Sequence, residues 1–186
     1  MLIILSGPSG VGKGTVREEL FKDDSLNLAY SISMTTRKPR PNERDGIDYF
    51  FVEEEEFKSK IEEGKLLEWA QFVGNYYGTP KDYVDKLFNE GKNVVLEIDL
   101  QGALQVMKKC PDATTIFLWP PSLGELERRI GGRRTEEEEI VQQRLSKARK
   151  EIGTKDEYKY VVENDDVIEA KDKIAEIIKK HQTNQG

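Results

Sequence analysis

Apolar residues follow one another without polar alternation in several short segments of the chain. Residues 2–5 and 115–119 are clear examples, and the segment 93–98 contains a third such run. Strands that are buried on both faces of a sheet have this composition, because neither face meets water. A short strand at Tyr30 and Ile32 and a last strand at residues 158–162 complete the set. The pattern predicts a parallel β-sheet.

Apolar residues at helical spacing predict helices between these strands. A helix after the first strand carries Val16, Leu20 and Phe21, another spans residues 101–109, and the last helix carries Val167, Ala170, Ile174, Ile177 and Ile178. Capping boxes at Ser122-x-x-Glu125 and Thr135-x-x-Glu138 predict the starts of two more helices. The expected fold class is α/β, with helices flanking the sheet.

Between residues 34 and 88 the pattern changes to short extended pieces, which predict a small mixed α/β domain inserted into the parallel sheet. Residues 34–46 are polar and contain prolines, and therefore predict a loop. Residues 47–52 predict an extended stretch, and residues 53–63 predict a helix that ends at Gly64.

The second half of this insertion predicts a strand, a turn and a helix. Leu67 and Trp69 alternate with Glu68 and Ala70, so Glu68 is expected to face away from the apolar side of its strand. Residues 75–78 predict a turn. A helix is then expected to begin with Thr79 as N-cap and Pro80 as its first residue, and to face inward with Val84, Leu87 and Phe88.

The first strand runs into a glycine-rich segment that ends on a lysine. The spacing Gly7-x4-Gly12-Lys13 matches a Walker A phosphate loop, except that Gly14 stands where serine or threonine is usual and Thr15 follows one residue later. Backbone N–H groups and a helix N-terminus attract anions there. A glycine-rich turn that only ends a core strand is the alternative. The displaced hydroxyl suggests that Mg²⁺ is held indirectly, through water.

Composition narrows the possible functions. The chain has 186 residues and a formal net charge of −6, which argues against a general role in nucleic-acid binding. Its single cysteine, Cys110, and single histidine, His181, leave no basis for a disulfide, a zinc site or a histidine base. No apolar run is long enough to span a membrane. We expect a cytoplasmic protein that is a monomer or a homo-oligomer.

The insertion supplies candidates for binding a second substrate. Arg37 and Arg40, three residues apart, could clamp one phosphate, and tyrosine hydroxyls could add donors. Taken alone, these arginines could equally form a solvated basic loop, Glu68 a surface carboxylate and Thr79 only a helix cap. The further candidates in the insertion and at the end of the 93–98 strand are Ser33, Tyr49, Tyr77, Glu97 and Asp99.

The order of these motifs and the residues in them closely resemble those of guanylate kinase, especially the bacterial form. The resemblance runs from Leu2 to the last helix. It rests on Gly7-Pro8-Ser9-Gly10-Val11-Gly12-Lys13-Gly14-Thr15, Ser31-Ile32-Ser33-Met34-Thr35-Thr36-Arg37-x-x-Arg40, Asp48-Tyr49-Phe50-Phe51, Glu68-Trp69-Ala70-Gln71-Phe72, Gly74-Asn75-Tyr76-Tyr77-Gly78-Thr79, Glu97-Ile98-Asp99-x-Gln101-Gly102-Ala103 and Pro120-Pro121-Ser122.

The resemblance implies a role for each matching residue. The loop from Gly7 to Thr15 would bind ATP. Arg37, Arg40, Tyr49 and Tyr77 would hold the GMP phosphate, Ser33, Glu68 and Thr79 would read the guanine, and Glu97 and Asp99 match an acidic pair near GMP and the metal. Asp99 and Thr15 are the metal candidates. Asn164 resembles a residue near the ATP adenine, although a helix cap would also explain it.

The resemblance also implies a lid. Arg133 matches the lid arginine and Arg144, with Arg149 less surely, matches arginines that face the transferred phosphoryl group. Arg134 replaces a usual lid glycine, either as an extra phosphate contact or as a surface residue. Lys13, Arg37, Arg133 and Arg144 would be the catalytic residues. The expected division is a P-loop core of residues 1–33, 89–130 and 155–186, a GMP-binding subdomain 34–88 and a helical lid 131–154.

The expected reaction is ATP-dependent phosphorylation of GMP to GDP with Mg²⁺, and the expected partners are ATP and GMP. A catalytically inactive guanylate-kinase-like module that binds phosphopeptides is the alternative from a binding class. The intact Lys13 and the single-domain length argue against it. Glu68 with Ser33 argues against another nucleoside monophosphate as acceptor, and the arginine pair against a regulatory GTPase.

Overall fold

A computed structural model describes residues 1–131 and 138–183. Its central sheet contains five strands: β1 (Leu2–Ser6), β2 (Leu28–Tyr30), β7 (Asn93–Glu97), β8 (Thr114–Trp119) and β9 (Tyr160–Glu163). They lie in the order β2-β7-β1-β8-β9, and all neighbouring strands are parallel. The predicted parallel α/β sheet is confirmed, although the second strand is Leu28–Tyr30 and does not reach Ile32, and the last strand begins at Tyr160 instead of Tyr158.

Helices cover both faces of this sheet. On one face lie α1 (Lys13–Leu20) and α7 (Val167–Thr183), and on the other α3 (Lys81–Asn89) and α4 (Leu100–Lys109). Ile3 packs with α1 and α7, whereas its neighbour Ile4 packs with α3 and α4. Adjacent residues of a strand point to opposite faces, so both must be apolar here. This explains why the apolar runs show no alternation.

The insertion forms a second, mixed sheet. Its strands are β3 (Met34–Thr35), β4 (Phe50–Phe51), β5 (Leu66–Phe72) and β6 (Asn75–Pro80), in the order β4-β3-β6-β5, and α2 (Glu54–Glu62) packs on it through Phe57. β3 runs parallel to β4, while the pairs β3–β6 and β5–β6 are antiparallel. Two further helices, α5 (Leu123–Gly131) and α6 (Glu138–Ile152), lie between β8 and β9 in the chain.

The predicted loop 34–46 is wrong at its first two residues, which form β3. Met34 is buried with Phe57 and Leu66, and the Thr35 hydroxyl donates a hydrogen bond to the Tyr76 carbonyl oxygen at 2.9 Å. Strand pairing over some forty residues leaves no signal in a local polar pattern. The extended stretch predicted at 47–52 is likewise a strand only at Phe50–Phe51.

The turn predicted at residues 75–78 is also wrong. These residues belong to β6, and the chain reverses two residues earlier at Val73 and Gly74, whose φ angles are 47° and 76°. Asn-Tyr-Tyr-Gly has a turn-like composition, but Asn75 pairs with Phe72 and Gly78 pairs with Trp69. Cross-strand pairing therefore decides the register in place of local turn propensity.

Val73→Asn should stabilise the protein. A β-branched residue with positive φ is strained by roughly 1–2 kcal/mol, and Asn-Gly is the preferred pair for a two-residue hairpin turn. Since the Val73 side chain is 79% exposed, it loses no core contact. We expect the free energy of unfolding in urea to rise by about 1 kcal/mol. Val73→Thr keeps the β-branch and should not give this gain, and an equal gain from both variants would contradict the strain argument.

The side assigned to Glu68 in β5 needs a correction. The strand register shifts between Leu66 and Glu68, and Glu68 and Ala70 lie on the buried face while Trp69 is 36% exposed. The alternation is present, but the face with Trp69 is the more exposed one. The reason is that α4 packs against β5 and covers the carboxylate, which lies against Gly102.

The helix after β6 begins one residue later than predicted, with Pro80 at the N-cap position and Lys81 as its first residue. Thr79 lies in β6 and is not a helix cap, and Phe88 is partly exposed instead of inward. The Ser122 hydroxyl accepts a hydrogen bond from the Glu125 N–H, as its capping box predicts. Among the helices of the two described ranges, none combines the length and apolar composition that a membrane span requires.

Candidate functional site

The glycine-rich segment links the end of β1 to the first residue of α1, Lys13, as the sequence predicts. Gly12 occupies the N-cap position with φ 96°, which favours glycine. A Cβ at Gly7 would lie 2.6 Å from the Leu118 carbonyl oxygen, so this loop also needs glycine for close backbone packing. The hollow above the loop has a volume of about 430 Å³. Its lining residues are Ser9, Gly10, Gly12, Lys13, Gly14, Thr15, Glu18 and Glu97.

Lys13 is held inside this loop. Its Nζ donates hydrogen bonds to the carbonyl oxygens of Gly7 at 2.6 Å and Pro8 at 3.3 Å. Burial lowers the pKa of Lys13, while the negative charges of Glu151, Glu97 and Asp99 oppose this shift. The ammonium group therefore sits in a partly desolvated place surrounded by carboxylates.

Asn164 lies directly beneath the loop, because it follows β9 in the chain and β9 belongs to the central sheet. It is 2% exposed, and its Nδ2 donates a hydrogen bond to the Val11 carbonyl oxygen at 2.7 Å. It is not the cap of α7, since the Asp166 carboxylate accepts the hydrogen bonds from the N–H groups of Ile168 and Glu169. In this structure Asn164 supports the loop from behind.

Gly14 and Thr15 lie at the start of α1, on the side of the loop that faces Glu97. A Cβ at Gly14 would be in ordinary contact, 3.9 Å from Glu97 Oε1, and Thr15 is exposed. The missing side chain at Gly14 thus leaves room next to a carboxylate oxygen. Oxygen donors and retained waters are what Mg²⁺ prefers.

A second pocket opens between the central sheet and the mixed sheet, with a volume of about 230 Å³. It brings together predicted residues from several different strands and loops. They are Ser33, Tyr49, Glu68, Tyr77, Glu97 and Asp99. Ala70, Phe72, Gly78, Ile98 and Lys147 complete the lining. We call this the acceptor pocket.

Glu68 is the most buried acidic group of the acceptor pocket, at 5% exposure. It lies opposite Thr79 in the β5–β6 pair, and the Thr79 hydroxyl donates a hydrogen bond of 2.6 Å to its Oε1. Burial raises the pKa of Glu68 to about 7, and the hydrogen bond from Thr79 opposes this shift. Thr79 does not line the pocket itself but reaches it through this carboxylate.

The arginine pair is only partly assembled at the pocket. The Arg37 guanidinium forms an ion pair of 2.9 Å with Glu43 and lies 5.4 Å from the centre of the Tyr49 ring. Arg40 is exposed, and its backbone N–H donates to the other Glu43 oxygen. The sequence did not predict a role for Glu43, whose carboxylate binds the Arg37 guanidinium and the Arg40 N–H. An acidic residue in a polar loop gives no indication of such contacts.

The two carboxylates after β7 have different partners. Glu97 forms an ion pair of 3.1 Å with Arg17, whose guanidinium stacks 4.4 Å from the centre of the Tyr30 ring. Asp99 is the N-cap of α4, where its Oδ1 accepts a hydrogen bond from the Gly102 N–H, and its Oδ2 lies 3.3 Å from Lys147 Nζ. The sequence also did not predict the contact of Arg17 with Glu97. The position of Arg17 on the polar side of α1 is its one indication in the sequence.

Glu151 and Lys147, both on α6, are further residues that sequence reasoning missed. Glu151 is 4% exposed and lies beside the phosphate loop, where the nearby Ser9 N–H favours its ionised form. Burial raises the pKa of Glu151, and the charges of Lys147 and Lys13 oppose this rise. Charged residues at helical spacing look like a solvated face, so no local pattern selects these two.

The predicted lid residues can be placed only in part. Arg133, Arg134 and the capping box at Thr135 lie outside the described residues, and so does the side chain of Arg144. Arg149 is described and is exposed, with an ion pair of 2.8 Å to Glu127.

The chain is similar to known proteins along almost its whole length. The family model described as guanylate kinase matches residues 1–181. A guanylate kinase from Bacillus anthracis is 60% identical over 178 residues, which are 96% of this chain and 87% of that protein. A guanylate kinase from Bacillus subtilis (strain 168) is 54% identical over the same shares of the two chains.

The fold comparison agrees with the sequence comparison. The crystal structure of guanylate kinase from Anaplasma phagocytophilum superposes with a TM-score of 0.78 at 34% identity and covers 98% of this chain and 86% of that chain. The phosphate loop, the acceptor pocket and these similarities together show that the chain belongs to the guanylate kinase family.

Proposed function

We propose that the acceptor pocket binds GMP and that the chain transfers a phosphoryl group from ATP to it, giving GDP and ADP. The observation that carries this proposal is the buried Glu68 carboxylate, placed by Thr79 and opening into a pocket next to the phosphate loop. Guanine presents N1–H and N2–H₂ as two donors on one edge, and one carboxylate can accept both. Adenine has no such pair and would leave a desolvated carboxylate without partners.

The phosphate of GMP is assigned to the part of the acceptor pocket that Tyr49 and Tyr77 line. Their ring centres lie 6.3 Å apart, and Arg37 lies next to the Tyr49 ring. Their hydroxyl and guanidinium groups donate to phosphate oxygens without needing a change of protonation state. Arg40, in the same loop, would join them when the loop folds over the phosphate. Ser33 would contact the guanine together with Glu68, which the Thr79 hydroxyl holds in place.

ATP is assigned to the hollow above the phosphate loop. The N–H groups of residues 7–15 and the N-terminus of α1 attract phosphates, and Lys13 supplies a positive charge for the outer ones. Asn164 would keep the loop in shape through its hydrogen bond to Val11.

Mg²⁺ is the proposed cofactor. Within the described ranges, no three acidic, histidine or cysteine side chains converge to hold a metal by themselves. The chain fits an ion that keeps several waters and takes phosphate oxygens as ligands, which is how Mg²⁺ accompanies nucleotides. Thr15, Asp99 and Glu97 would hold it through water, with Glu97 next to the space at Gly14. Bound Mg²⁺ would neutralise phosphate charge and orient the transferred group.

The attacking oxygen of GMP is already an anion, so the reaction needs no general base. The contribution of the protein is alignment of the two phosphates and stabilisation of charge by Lys13, Arg37, Arg133 and Arg144. We propose that the segments 34–88 and 131–154 close against the core, because exclusion of water protects ATP from hydrolysis. The intact phosphate loop and the buried Glu68 do not favour an inactive phosphopeptide-binding module.

An assay of ADP release with ATP, Mg²⁺ and each of AMP, GMP, CMP, UMP and dTMP tests the function. We expect turnover with GMP and at least about 10⁴-fold lower kcat/KM with AMP, as for sites that hydrogen-bond their substrate. No activity with GMP would overturn the proposed function. Equal turnover of AMP would overturn the role given to Glu68.

Gly102→Ala should weaken GMP binding while leaving the fold intact. A Cβ at Gly102 would lie 2.6 Å from Glu68 Oε2 and 3.0 Å from its Cδ, so the carboxylate must move. Alanine itself suits a helix better than glycine by about 1 kcal/mol. We expect KM for GMP to rise by about tenfold, the cost of a lost hydrogen bond, with little change in KM for ATP.

Gly124→Ala is the matched control for this variant. Gly124 also lies in the first turn of a helix, and a Cβ there would meet only Ser122 Oγ at an ordinary contact of 3.9 Å. Its KM for GMP should equal that of the wild type. If both alanine variants had the same KM for GMP, the close approach of Gly102 to Glu68 would not affect GMP binding.

A further inference from the structure

Helix α6 carries two oppositely charged side chains, one helical turn apart, that reach two different sites. The Glu151 carboxylate is buried beside the phosphate loop, near the Ser9 N–H, and its charge acts on the ammonium group of Lys13. Lys147 Nζ lies 3.7 Å from Glu151 Oε1. One member of the pair, Glu151, therefore lies at the ATP-binding loop.

The same ammonium group also belongs to the acceptor pocket. Lys147 lines that pocket, and its Nζ is 3.3 Å from Asp99 Oδ2 and 5.2 Å from the centre of the Phe72 ring. Asp99 is fixed to the start of α4 and Phe72 to the end of β5. One side chain of α6 thus contacts both the central sheet region and the mixed sheet.

The acceptor pocket is lined by several negative charges, and Lys147 lies among them. Glu68, Glu97 and Asp99 line it, although its proposed ligand is a phosphate anion. Among its described lining residues, Lys147 is the cation. It offsets the charge of Asp99 in a pocket that must admit an anionic ligand, and it does so from a helix whose Glu151 lies beside the ATP-binding loop.

We propose that Lys147 is a positioning residue that couples the acceptor pocket to the phosphate loop through the two carboxylates that its ammonium group contacts, Asp99 and Glu151. The inference rests on the proposed GMP kinase function. A ligand that fills the acceptor pocket favours the arrangement in which Lys147 contacts Asp99 and Phe72. That arrangement places α6 so that the Glu151 carboxylate lies beside the phosphate loop, near Ser9 and Lys13. GMP and ATP should therefore bind more tightly together than apart, and by linkage each helps the other equally.

The coupling can be measured directly by calorimetry with a non-hydrolysable ATP analogue, Mg²⁺ and the full chain, with and without saturating GMP. The ratio of the two dissociation constants of the analogue is the coupling factor. We expect Lys147→Gln to lower this factor by about fivefold, the lower end of typical couplings, and Lys147→Arg to retain it because the charge is kept. In steady-state kinetics Lys147→Gln should raise KM for GMP more than it lowers kcat.

Lys150→Gln is the matched control. Lys150 lies on the exposed side of the same helix, so its replacement removes an equal charge from α6 and should leave the coupling factor unchanged. Lys147 is itself 45% exposed, and the melting temperatures of all three variants should stay close to that of the wild type. A merely structural role of Lys147 would lower the melting temperature and leave the coupling factor as it is.

Three results would overturn the inference. One is an unchanged coupling factor in Lys147→Gln, and another is an equal loss in Lys147→Arg, which would show that the charge is not responsible. The third is a wild type that binds GMP and the ATP analogue independently. If the wild type bound no GMP at all, the proposed function would fail together with the inference; in the other three cases it would stand.

Discussion

Replacing Glu68 by glutamine should reduce kcat/KM for GMP by about 10⁴, the penalty found where a buried site loses the hydrogen bonds that define its substrate. The substitution keeps the shape of the side chain and the acceptor for the Thr79 hydroxyl. It replaces the second oxygen with an NH₂ group, which would face the N–H donors of guanine. Steady-state kinetics with varied GMP and saturating ATP measure the effect.

Binding of the ATP analogue alone provides the control for Glu68→Gln. Glu68 lines the acceptor pocket and not the hollow above the phosphate loop, so the dissociation constant of the analogue should stay within about twofold of the wild type, below the effect of one hydrogen bond. A parallel loss of ATP binding would show that the variant damages the fold, and normal GMP turnover would remove Glu68 from the guanine site.

The same variant should be more stable than the wild type at alkaline pH. The pKa of Glu68 rises from 4.5 to about 7 on folding, because burial disfavours the carboxylate. A raised folded-state pKa means that stability is fully present below pH 4.5 and is lost as the pH rises to about 7. Glutamine does not ionise. Its advantage in urea unfolding should therefore grow between these two pH values, on the order of 1–3 kcal/mol, and stay constant above them.

Lys13→Met should lower kcat by about 10³, the effect of removing one preorganised charge from a transition state. In the proposed reaction Lys13 supplies the positive charge for the outer phosphates of ATP, and methionine keeps its length without the charge. We expect a smaller rise in KM for ATP, because the N–H groups of the loop and the dipole of α1 still attract the phosphates. Steady-state kinetics with GMP saturating separate the two parameters.

Stability distinguishes this catalytic role from a folding defect. Burial lowers the pKa of Lys13, so the folded state disfavours its charge, and Lys13→Met should melt no lower than the wild type. Lys22→Met removes an exposed lysine just after the same helix and should leave kcat unchanged. If Lys13→Met kept kcat within about tenfold of the wild type, the loop lysine would not carry the transition-state charge.

Elements whose signal is local were predicted well. The apolar runs of the central sheet require burial on both faces, and Ile3 and Ile4 pack on opposite sides as expected. The phosphate loop follows from glycine positions and a lysine in register, and it lies between β1 and α1. In the mixed sheet, the predicted loop at 34–46 was wrong at its first two residues, whose partners in β6 lie some forty residues away, and the predicted turn at 75–78 was wrong because these residues pair with β5.

The amino-acid sequence by itself determined the α/β class and the phosphate loop, because both depend on composition or spacing along the chain, whereas the roles expected for the residues of the acceptor pocket came from the resemblance to guanylate kinase. Only the tertiary structure decided that Glu68 is buried, since the covering helix α4 comes some thirty residues later. It also decided the partners of the charged groups, as in the ion pair of Arg17 with Glu97 and the ion pairs of Lys147 with Glu151 and Asp99. Ion pairs join residues that are far apart in the sequence, and the sequence around a charged residue does not indicate which partner it will have.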